Sequence, residues 1–530
     1  MLEIQLHLLL GPTAVDSILP RVVLEDFLLR RLVEVPGLSS LQFDTACLTP
    51  GQFILSRSCL RLVDGKRVLV SLERRDGGGC DDGDDVTIAQ LIQNWRELCV
   101  ERESLLAEAA ASVSDAATVR KWVEENGGVA FIANGSVLAR DGGASDPDSP
   151  LKPAARVPFI APASLQREVP LGGGRSVQGL LIPQGVTVIT GGGFHGKSTL
   201  LRALAMGSLD KVPGDGRELC VTTGRSMTIR SEDGRSVGAV DISPFISGLP
   251  PACGINVSNF STTSASGSTS SASGVMEALE MGCSLFLLDE DTSAGNFMIR
   301  DSRMRSLIDN EPITPYIYRV NSLHRQLGVS TIVVVGGSGD WFDVQDTTLQ
   351  LDDYVCKDVT RRVLQISKTF CSGRVEYNGR GLVHQLPWTH EATPCAAQRR
   401  FDIAQLTLDD INSTAAVRAS EDGQLLIYGP RLSLDLSKIE QRVPTREAQA
   451  AALGVGAAFL WLSRSSELTA RGSMVSVREA MDAYAQGVGG EGWDNVVVEL
   501  GSRPFVLPLP TILAASLNRL RGLAFHKYNA

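Results

Sequence analysis

One glycine-rich segment of the chain has the spacing of a phosphate-binding loop. It reads GGGFHGKS over Gly191–Ser198, matches G-x-x-x-x-G-K-[ST], and lies between a predicted strand, Gly185–Thr190, and a predicted helix, Lys197–Met206. Glycines let backbone N–H groups turn inward around phosphate oxygens, and a helix N-terminus favours the same negative charge. We expect Lys197 to bridge the β- and γ-phosphates of a nucleotide and Ser198 to ligate Mg²⁺. The predicted nucleotide contacts here are Gly191, Gly192, Gly193, Phe194, His195, Gly196, Lys197, Ser198 and Thr199.

A second segment, SLFLLDED, supplies acidic residues directly after an apolar strand. The strand is predicted over Ser284–Leu288, and its near-continuous apolar run is typical of a parallel sheet. Asp289 is expected to hold Mg²⁺, directly or through water. Glu290 is expected to position and polarise an attacking water. An acidic pair after a strand is often only a solvated turn, but its combination with the phosphate loop favours a catalytic site.

A third segment, ASGSTS over Ala265–Ser270, is predicted to face the γ-phosphate of a nucleotide. It opens a helical stretch, Ala272–Met281, and its Ser266 precedes Asp289 by 23 positions, about the spacing of the LSGGQ signature of ATP-binding cassette (ABC) proteins. Ser266 and Gly267 match that signature, whereas Ser268 replaces its second glycine. A hydroxyl, glycine amides and a helix N-terminus together form an anion site. A serine-rich linker is the alternative.

Longer strings around these motifs resemble a family of soluble ATPases of the ABC class that is distinct from the transporters. The similarity is strong over residues 119–367, and DEDTSAGN, Asp289–Asn296, resembles the ABC D-loop. Weaker similarity extends to GQFILSR (51–57), FIANGSVLAR (131–140), DLSKIEQ (435–441) and LNRLR (517–521). The strong strings are VTVITGGGFHGKSTLLRAL (186–204), VPGDGRE (212–218), SEDGRSV (231–237), DISPFI (241–246), FSTTSASGSTS (260–270), LLDEDTSAGNFMIRDSRM (287–304), EPITP (311–315) and STIVVVGGSGDWFDVQD (330–346).

The resemblance implies ATP and Mg²⁺ as cofactors, ATP hydrolysis, and a homodimer. The family includes a kinetoplastid mitochondrial protein associated with RNA editing, so RNA or an RNA-processing complex is a candidate partner by analogy alone.

The chain departs from related sequences at several positions. Family members usually carry a further segment before the helix expected at Glu25–Leu32, so we expect truncation or divergence there. The D-loop has Gly295 where the family has threonine. Ordinary ABC ATPases place a histidine after the next strand, Thr331–Val335, but VGGSGD at Val335–Asp340 has none. A glutamine is also missing about forty residues after the phosphate loop, where Asp241 or Ser243 is the predicted substitute.

Composition excludes several other classes of protein. The net charge of −10 argues against a broadly cationic surface for nucleic acid or anionic lipid. Ten cysteines without a CxxC pair indicate reduced thiols rather than a zinc site. No apolar run reaches the length needed to cross a membrane. The sequence therefore gives no evidence of a membrane-spanning segment or of a membrane-spanning partner. We expect an intracellular protein of the cytoplasm or the mitochondrial matrix, and the sequence favours neither compartment over the other.

The elements that must position these motifs alternate between strand and helix. We therefore predict an α/β fold, a P-loop NTPase core of ABC ATPase type, flanked by smaller α+β N-terminal and C-terminal domains. The predicted domains are 1–153, 154–372 and 373–530. Outside the core the pattern predicts helices over Thr87–Ala110 and Val119–Asn126, a strand with a turn at Asn134–Gly135, a hairpin over Gly423–Leu436, and helices near 444–463, 476–486 and 508–522.

The combined hypothesis is a nucleotide-clamped homodimer with two composite sites. Glu290 and Lys197 are the predicted catalytic residues, and Ser266 of the opposing subunit is expected to stabilise charge on the transferring phosphoryl group. The alternative is an ATP-gated scaffold for RNA or protein with little turnover, for example in mitochondrial RNA processing. The altered signature and the missing histidine support this alternative. A P-loop kinase is a third class, which would need an acceptor site.

Overall fold

A computed structural model describes most of the chain. The described residues are 2–5, 20–36, 38, 50–63, 67–70, 82–142, 148–370, 399–408, 416–439, 441, 447–470, 472–487, 493, 496, 500 and 505–527. They form a mixed α/β structure around a sheet whose strands are mostly parallel, which confirms the predicted fold class.

Strands and helices alternate along much of the described chain. The strands are β1 (Leu2–Gln5), β2 (Leu60–Val63), β3 (Arg67–Val70), β4 (Gly128–Ala133), β5 (Gln166–Pro170), β6 (Ser176–Pro183), β7 (Val186–Gly191), β8 (Cys220–Thr222), β9 (Ser226–Ile229), β10 (Val237–Val240), β11 (Phe260–Thr262), β12 (Leu285–Asp289), β13 (Ser330–Val334), β14 (Thr347–Asp352), β15 (Val355–Asp358), β16 (Arg399–Asp402), β17 (Val417–Ala419), β18 (Leu425–Tyr428), β19 (Leu432–Asp435), β20 (Met474–Ser476) and β21 (Phe525–Lys527). The helices are α1 (Arg21–Glu34), α2 (Asp82–Glu101), α3 (Glu103–Glu125), α4 (Lys197–Ala205), α5 (Gly267–Glu280), α6 (Gly295–Met298), α7 (Ser302–Leu307), α8 (Val320–Leu327), α9 (Thr360–Thr369), α10 (Ala448–Arg464), α11 (Ser466–Ala470), α12 (Val477–Gly487) and α13 (Pro510–Arg519).

The central sheet has the strand order β15-β14-β7-β13-β12-β9. All neighbours are parallel except β14 and β15, which form an antiparallel hairpin. The strand that leads into the phosphate loop, β7, is therefore separated from the acidic strand β12 by one strand, β13. Because parallel strands end at the same edge of a sheet, the segments after β7, β12, β13 and β9 all emerge at one edge.

Both faces of this sheet are buried, which explains the continuous apolar runs in its sequence. Within β12, Leu285 and Leu287 pack in a cluster with Leu200 and Leu204 of α4. The alternate residues Phe286 and Leu288 belong to the cluster on the other face, which includes Met276 of α5 and Leu323 of α8. Successive side chains of a strand point to opposite faces, so β12 is held between helices on both sides.

A second, antiparallel sheet has the order β5-β6-β4-β8. Its strand β4 lies before the predicted boundary at residue 153, yet it pairs with β6 and β8, which lie after it. The sheet pairing therefore crosses the boundary between 153 and 154, and the division of the chain into three domains stays a prediction.

The outer elements agree with the predicted pattern in type and only in part in their bounds. The break between α2 and α3 lies at residue 102, inside the first predicted helix, and the second predicted helix is the end of α3. Residues 134–135 form the expected turn after β4. In the C-terminal region β18 and β19 form the predicted hairpin, and the apolar helix α10 is buried along most of its length. Helix α12 is shifted by one residue from its predicted range, and helix α13 begins two residues later and ends three residues earlier than predicted.

Two compositional expectations can be compared with the described residues. Six cysteines lie among them, of which Cys99, Cys220, Cys253, Cys283 and Cys356 are free thiols, and burial raises the pKa of the Cys283 thiol to about 12. The other four cysteines lie outside the described residues. Across the described part of the chain, no helix combines the length and the apolar character needed to cross a membrane.

Candidate nucleotide-binding site

The phosphate loop connects the end of β7 to the start of α4, as its sequence predicts. Gly191 and Gly196 both have positive φ angles, 140° and 96°, which favour glycine. A β-carbon at Gly191 would lie 2.1 Å from the carbonyl oxygen of Leu351 in β14. Only glycine therefore lets the loop lie so close to the neighbouring strand.

Lys197, the first residue of α4, points its ammonium group back at the loop. Its Nζ donates to the carbonyl oxygens of Gly191 at 2.9 Å and Gly192 at 2.7 Å. These bonds hold a positive charge beside a loop followed by a helix N-terminus. A charged donor in this position can bind a phosphate oxygen more strongly than a neutral one.

Ser198 and Asp289 are 91 positions apart in sequence and meet at the sheet edge. The Ser198 hydroxyl donates to Asp289 Oδ2 at 3.1 Å, and the other carboxylate oxygen accepts from the backbone N–H of Asp291 at 3.1 Å. A hydroxyl and a carboxylate are the hard oxygen ligands that Mg²⁺ prefers, and Mg²⁺ usually takes its remaining ligands from water and phosphate. In the described part of the chain no group of three or more His, Cys, Asp or Glu could form an all-protein metal cage. The Ser198–Asp289 pair therefore fits a phosphate-bound Mg²⁺.

Glu290 contacts the segment Val335–Asp340, which we call the glycine loop and which follows β13. Its Oε2 accepts hydrogen bonds from the backbone N–H groups of Gly336 at 2.7 Å and Gly337 at 2.9 Å. In this loop, where ordinary ABC ATPases carry a histidine, the chain thus offers backbone donors to its predicted catalytic carboxylate. Sequence reasoning missed this contact, although two consecutive glycines after a parallel strand were a visible signal.

The signature segment Ala265–Ser270 begins α5 five residues earlier than the predicted helix. Ser266 is the N-cap, and its exposed hydroxyl lies 3.1 Å from the hydroxyl of Thr269. Ser268 is buried and donates to Asn296 Oδ1 at 2.7 Å. Among the described residues these side-chain hydrogen bonds go to the helix itself and to the D-loop, not to the phosphate loop of the same chain. The roles of Ser266, Gly267 and Ser268 in nucleotide binding stay predictions.

The loop after β9, which we call the bridging loop and which spans residues 230–235, also emerges at the site edge. The N–H of Ser231 donates to the carbonyl of Thr292 in the D-loop at 3.0 Å, and the N–H of Gly234 donates to that of Ala265 at 2.8 Å. Its Glu232 pairs with Arg519 of α13, with 2.8 Å between Nε and Oε2. Burial acts to raise the pKa of Glu232, but the charges of Arg519 and Arg235 lower it overall.

The predicted substitutes for the missing glutamine follow a strand that is not part of the central sheet. Asp241 and Ser243 follow β10, which pairs with β11 in a separate two-stranded sheet. There the Asp241 carboxylate accepts from the N–H of Ser243 at 3.1 Å and lies 3.9 Å from Lys527. Asp241 and Ser243 were predicted from their distance in sequence, about forty residues after the phosphate loop. In the structure β9 lies beside β12, so the bridging loop emerges at the edge where β7 and β12 end.

His195 connects the phosphate loop to the β14–β15 turn. Its Nδ1 accepts a hydrogen bond from the N–H of Asp353 at 3.1 Å and lies 3.5 Å from Asp352 Oδ1. The pKa of the Asp352 carboxyl is lowered, first by its hydrogen bond and ion pair with Lys357 and to a smaller extent by His195. These contacts hold His195 against the β14–β15 turn, and its predicted contact with the nucleotide stays a prediction.

Phe194 has a left-handed backbone, with a φ of 63°, and its side chain is fully exposed. This conformation costs a non-glycine residue about 1–2 kcal/mol, whereas glycine adopts it freely. Phe194→Gly is therefore expected to raise the midpoint of thermal unfolding relative to Phe194→Ala, which keeps a β-carbon in the same conformation. Scanning calorimetry of the two variants measures the difference. A lower midpoint for Phe194→Gly would contradict the assigned strain.

Fold and site together define a P-loop nucleotide-binding core. The model of the ABC_ATPase family, described as a P-loop domain, matches residues 102–385, more than half of the chain. The chain belongs to this family, which confirms the predicted resemblance, and the family supports nucleotide binding.

Individual known proteins are also similar to the chain. An uncharacterised protein of Methanocaldococcus jannaschii is 29% identical over 290 residues, which cover 51% of this chain and 62% of that protein. The chain thus spans less than two thirds of the length of this curated relative. Among solved structures, an inward-facing metal-chelate type ABC transporter matches at 15% identity and a TM-score of 0.27, over 44% of this chain and 85% of that chain. CbiO1 of Clostridium perfringens, part of the ABC transporter complex CbiONQ, matches at 14% identity and a TM-score of 0.27, over 46% and 93%.

Proposed function

We propose that this protein hydrolyses ATP in a Mg²⁺-dependent reaction and acts as a nucleotide-clamped homodimer. The observation that carries the proposal is the 3.1 Å contact between Ser198 of the phosphate loop and Asp289 of the acidic strand, with Glu290 directly after it. A phosphate site, a pair of oxygen ligands for Mg²⁺ and a carboxylate for the attacking water thereby lie at one edge of the sheet.

The residues of this edge have distinct roles in the proposed reaction. Lys197 and the amides at the start of α4 bind the β- and γ-phosphates and stabilise the charge that develops on the transferring group. Ser198 and Asp289 hold Mg²⁺, which when bound neutralises phosphate charge. Glu290 orients a water in line with the γ-phosphorus and polarises its O–H bond. The new bond joins the water oxygen to phosphorus, and the bond to the bridging oxygen breaks, so that the products are ADP and phosphate.

The dimer is proposed because Ser266 stands at the start of the long helix α5 with an exposed hydroxyl. In a second copy of the chain, Ser266 and the amide of Gly267 would supply donors to the γ-phosphate held by the first copy. Each of the two sites would then need both subunits, as in a symmetric C₂ assembly.

A second role, as an ATP-gated scaffold for RNA or protein, is tested by measuring ATP binding and steady-state phosphate release on the same protein. If the protein binds ATP but shows no steady-state phosphate release, the result would support the scaffold role instead of ATP hydrolysis. With a net charge of −10, an RNA partner would need a local basic patch. Either role would place the protein where ATP is abundant, in the cytoplasm or the mitochondrial matrix.

Lys197→Ala is expected to weaken ATP binding by about ten- to a hundredfold, because a charge-assisted phosphate contact contributes roughly 1.5–3 kcal/mol. Isothermal titration calorimetry measures the dissociation constant. Lys121→Ala, which removes an exposed lysine of α3, is the matched control and should bind ATP as the unaltered protein does. Lys197→Ala also loses the two hydrogen bonds from Lys197 to the loop carbonyls. The midpoint of thermal unfolding of Lys197→Ala without nucleotide is therefore compared with that of the unaltered protein. Unchanged ATP affinity would show that Lys197 does not bind phosphate.

A further inference from the structure

In the described part of the chain, three arginine–carboxylate pairs are buried where the C-terminal region packs against the signature helix α5 and the bridging loop. The carboxylates belong to the bridging loop and to α5, and two of the arginines belong to β16 and α13. The three glutamates are at most 4% exposed, and a buried charge is costly unless it is paired and hydrogen-bonded. The pairs are Arg519–Glu232, Arg235–Glu277 and Arg399–Glu280.

Arg519 joins the last turn of α13 to the bridging loop. Its Nε donates to Glu232 Oε2 at 2.8 Å, and its Nη2 donates to the other oxygen of the same carboxylate. A bidentate pair of this kind fixes the orientation of the two groups as well as their distance. Two positions further on, Arg521 donates to the carbonyl oxygen of Gly234 at 2.6 Å. The string LNRLR (517–521) therefore holds the bridging loop with both of its arginines.

The bridging loop is joined in turn to the start of the signature helix. The N–H of Ala265 donates to the carbonyl oxygen of Arg235 at 2.8 Å, and the N–H of Gly234 donates to the carbonyl oxygen of Ala265 at 2.8 Å. Ser266, the N-cap of α5, follows Ala265 directly in the chain. A displacement of the bridging loop would therefore also displace the hydroxyl of Ser266.

The opposite end of α5 is held by the same region of the chain. Glu280, the last residue of α5, accepts hydrogen bonds from the backbone N–H and from the Nε of Arg399 in β16, both at 2.9 Å. Arg399 also donates to Asn518 Oδ1 at 2.7 Å, and Asn518 directly precedes Arg519 in α13. The C-terminal region thus contacts α5 directly at its end and, through the bridging loop, at its start.

We propose that Arg519 is a positioning residue for ATP hydrolysis, which sets the place of Ser266 through Glu232 and the bridging loop. The inference rests on the proposed function, in which Ser266 of one subunit faces the γ-phosphate bound by the other. Among the described residues, the hydrogen bonds of Arg519 go to Glu232 and to the carbonyl oxygen of Ala515 in its own helix. ATP binding by Lys197 should therefore not depend on Arg519, whereas turnover should.

The first test separates turnover from ATP binding in Arg519→Met, which keeps an extended side chain and removes its charge. Because a misplacement of about 1 Å in a site can cost about 10²-fold in rate, steady-state phosphate release should fall by about ten- to a hundredfold. The dissociation constant of ATP, measured by calorimetry, should stay that of the unaltered protein. Arg519→Lys keeps the positive charge and should retain more turnover than Arg519→Met. Arg418→Met, which removes an exposed arginine of β17 in the same region, is the matched control.

The second test asks whether Arg519 acts through Ser266, by combining Arg519→Met with Ser266→Ala. Residues that act as a unit give non-additive effects, so the double variant should lose less turnover than the product of the two single losses. A general loss of stability would instead give independent losses that multiply. Glu232→Gln breaks the same pair from the bridging loop, and it carries both tests if Arg519→Met folds poorly.

The outcomes distinguish failure of the positioning role from failure of the proposed function. Unchanged turnover in Arg519→Met, a parallel loss of ATP affinity, or losses that multiply in the double variant would overturn the positioning role while leaving hydrolysis intact. Full turnover in Ser266→Ala would overturn the composite site, and the positioning role with it. If the unaltered protein releases no phosphate from ATP, the proposed hydrolysis fails and the positioning role fails with it.

Discussion

Glu290→Gln is expected to retain ATP binding and to slow phosphate release by about 10²–10⁴-fold, the usual contribution of a general base. The glutamine keeps the shape of the side chain but cannot take a proton from water. Both backbone donors of the glycine loop bind the same oxygen, Oε2, so the amide oxygen of a glutamine can accept both bonds. The substitution therefore removes the base without removing the contact that places it.

Steady-state phosphate release and ATP calorimetry measure the two effects separately. Asp291→Asn is the control, because this neighbouring carboxylate is exposed and its change should leave turnover near that of the unaltered protein. ATP-bound Glu290→Gln should also accumulate as dimer in size-exclusion chromatography. Full turnover in Glu290→Gln would remove Glu290 from the water-activating role.

Mixing Lys197→Ala with Ser266→Asp is expected to restore ATPase activity that neither variant has alone. In a mixed dimer, one subunit carries Lys197→Ala and the other carries Ser266→Asp. Since each site joins the phosphate loop of one subunit to the signature segment of the other, both substitutions fall in the same site. The second site then has an intact phosphate loop and an intact signature segment. With random exchange and independent sites, about a quarter of the original activity should return.

The structure favours Ser266→Asp as the signature lesion. Ser266 is the N-cap of α5, and aspartate caps helices as well as serine does, so the helix should persist while a carboxylate faces the partner's γ-phosphate. Gly267 is a poorer choice, because a β-carbon there would lie 2.5 Å from the Ser231 hydroxyl and disturb the bridging loop.

Lys197→Ala mixed with Glu290→Gln is the control for this experiment. Both lesions lie on the phosphate-loop side of their own subunits, so each site of a mixed dimer is damaged and activity should stay low. Subunit exchange is established separately by tagged pull-down. If subunits exchange in the first mixture but ATPase activity does not return, either the signature segment does not act across the dimer or the two sites work only in concert. Return of activity in the control mixture would contradict the composite geometry.

The sequence by itself determined the local parts of this protein. The phosphate loop and the acidic strand could be recognised because each depends on neighbouring residues: glycines with positive φ, and an apolar run between two faces. The signature helix was also predicted, but its start was placed five residues too late, because the capping role of Ser266 was not recognised. The alternation of these elements also predicted the α/β core.

Only the tertiary structure decided which distant residues meet. Placing β13 between β7 and β12 brings the glycine loop to Glu290, and placing β9 beside β12 brings the bridging loop to the D-loop. The β14–β15 turn likewise brings Tyr354 to the phosphate loop across more than 150 residues. Local patterns carry no record of strand order, because many orders bury the same apolar faces equally well. The partners of Glu290, His195 and the signature segment therefore emerged only from the packed sheet.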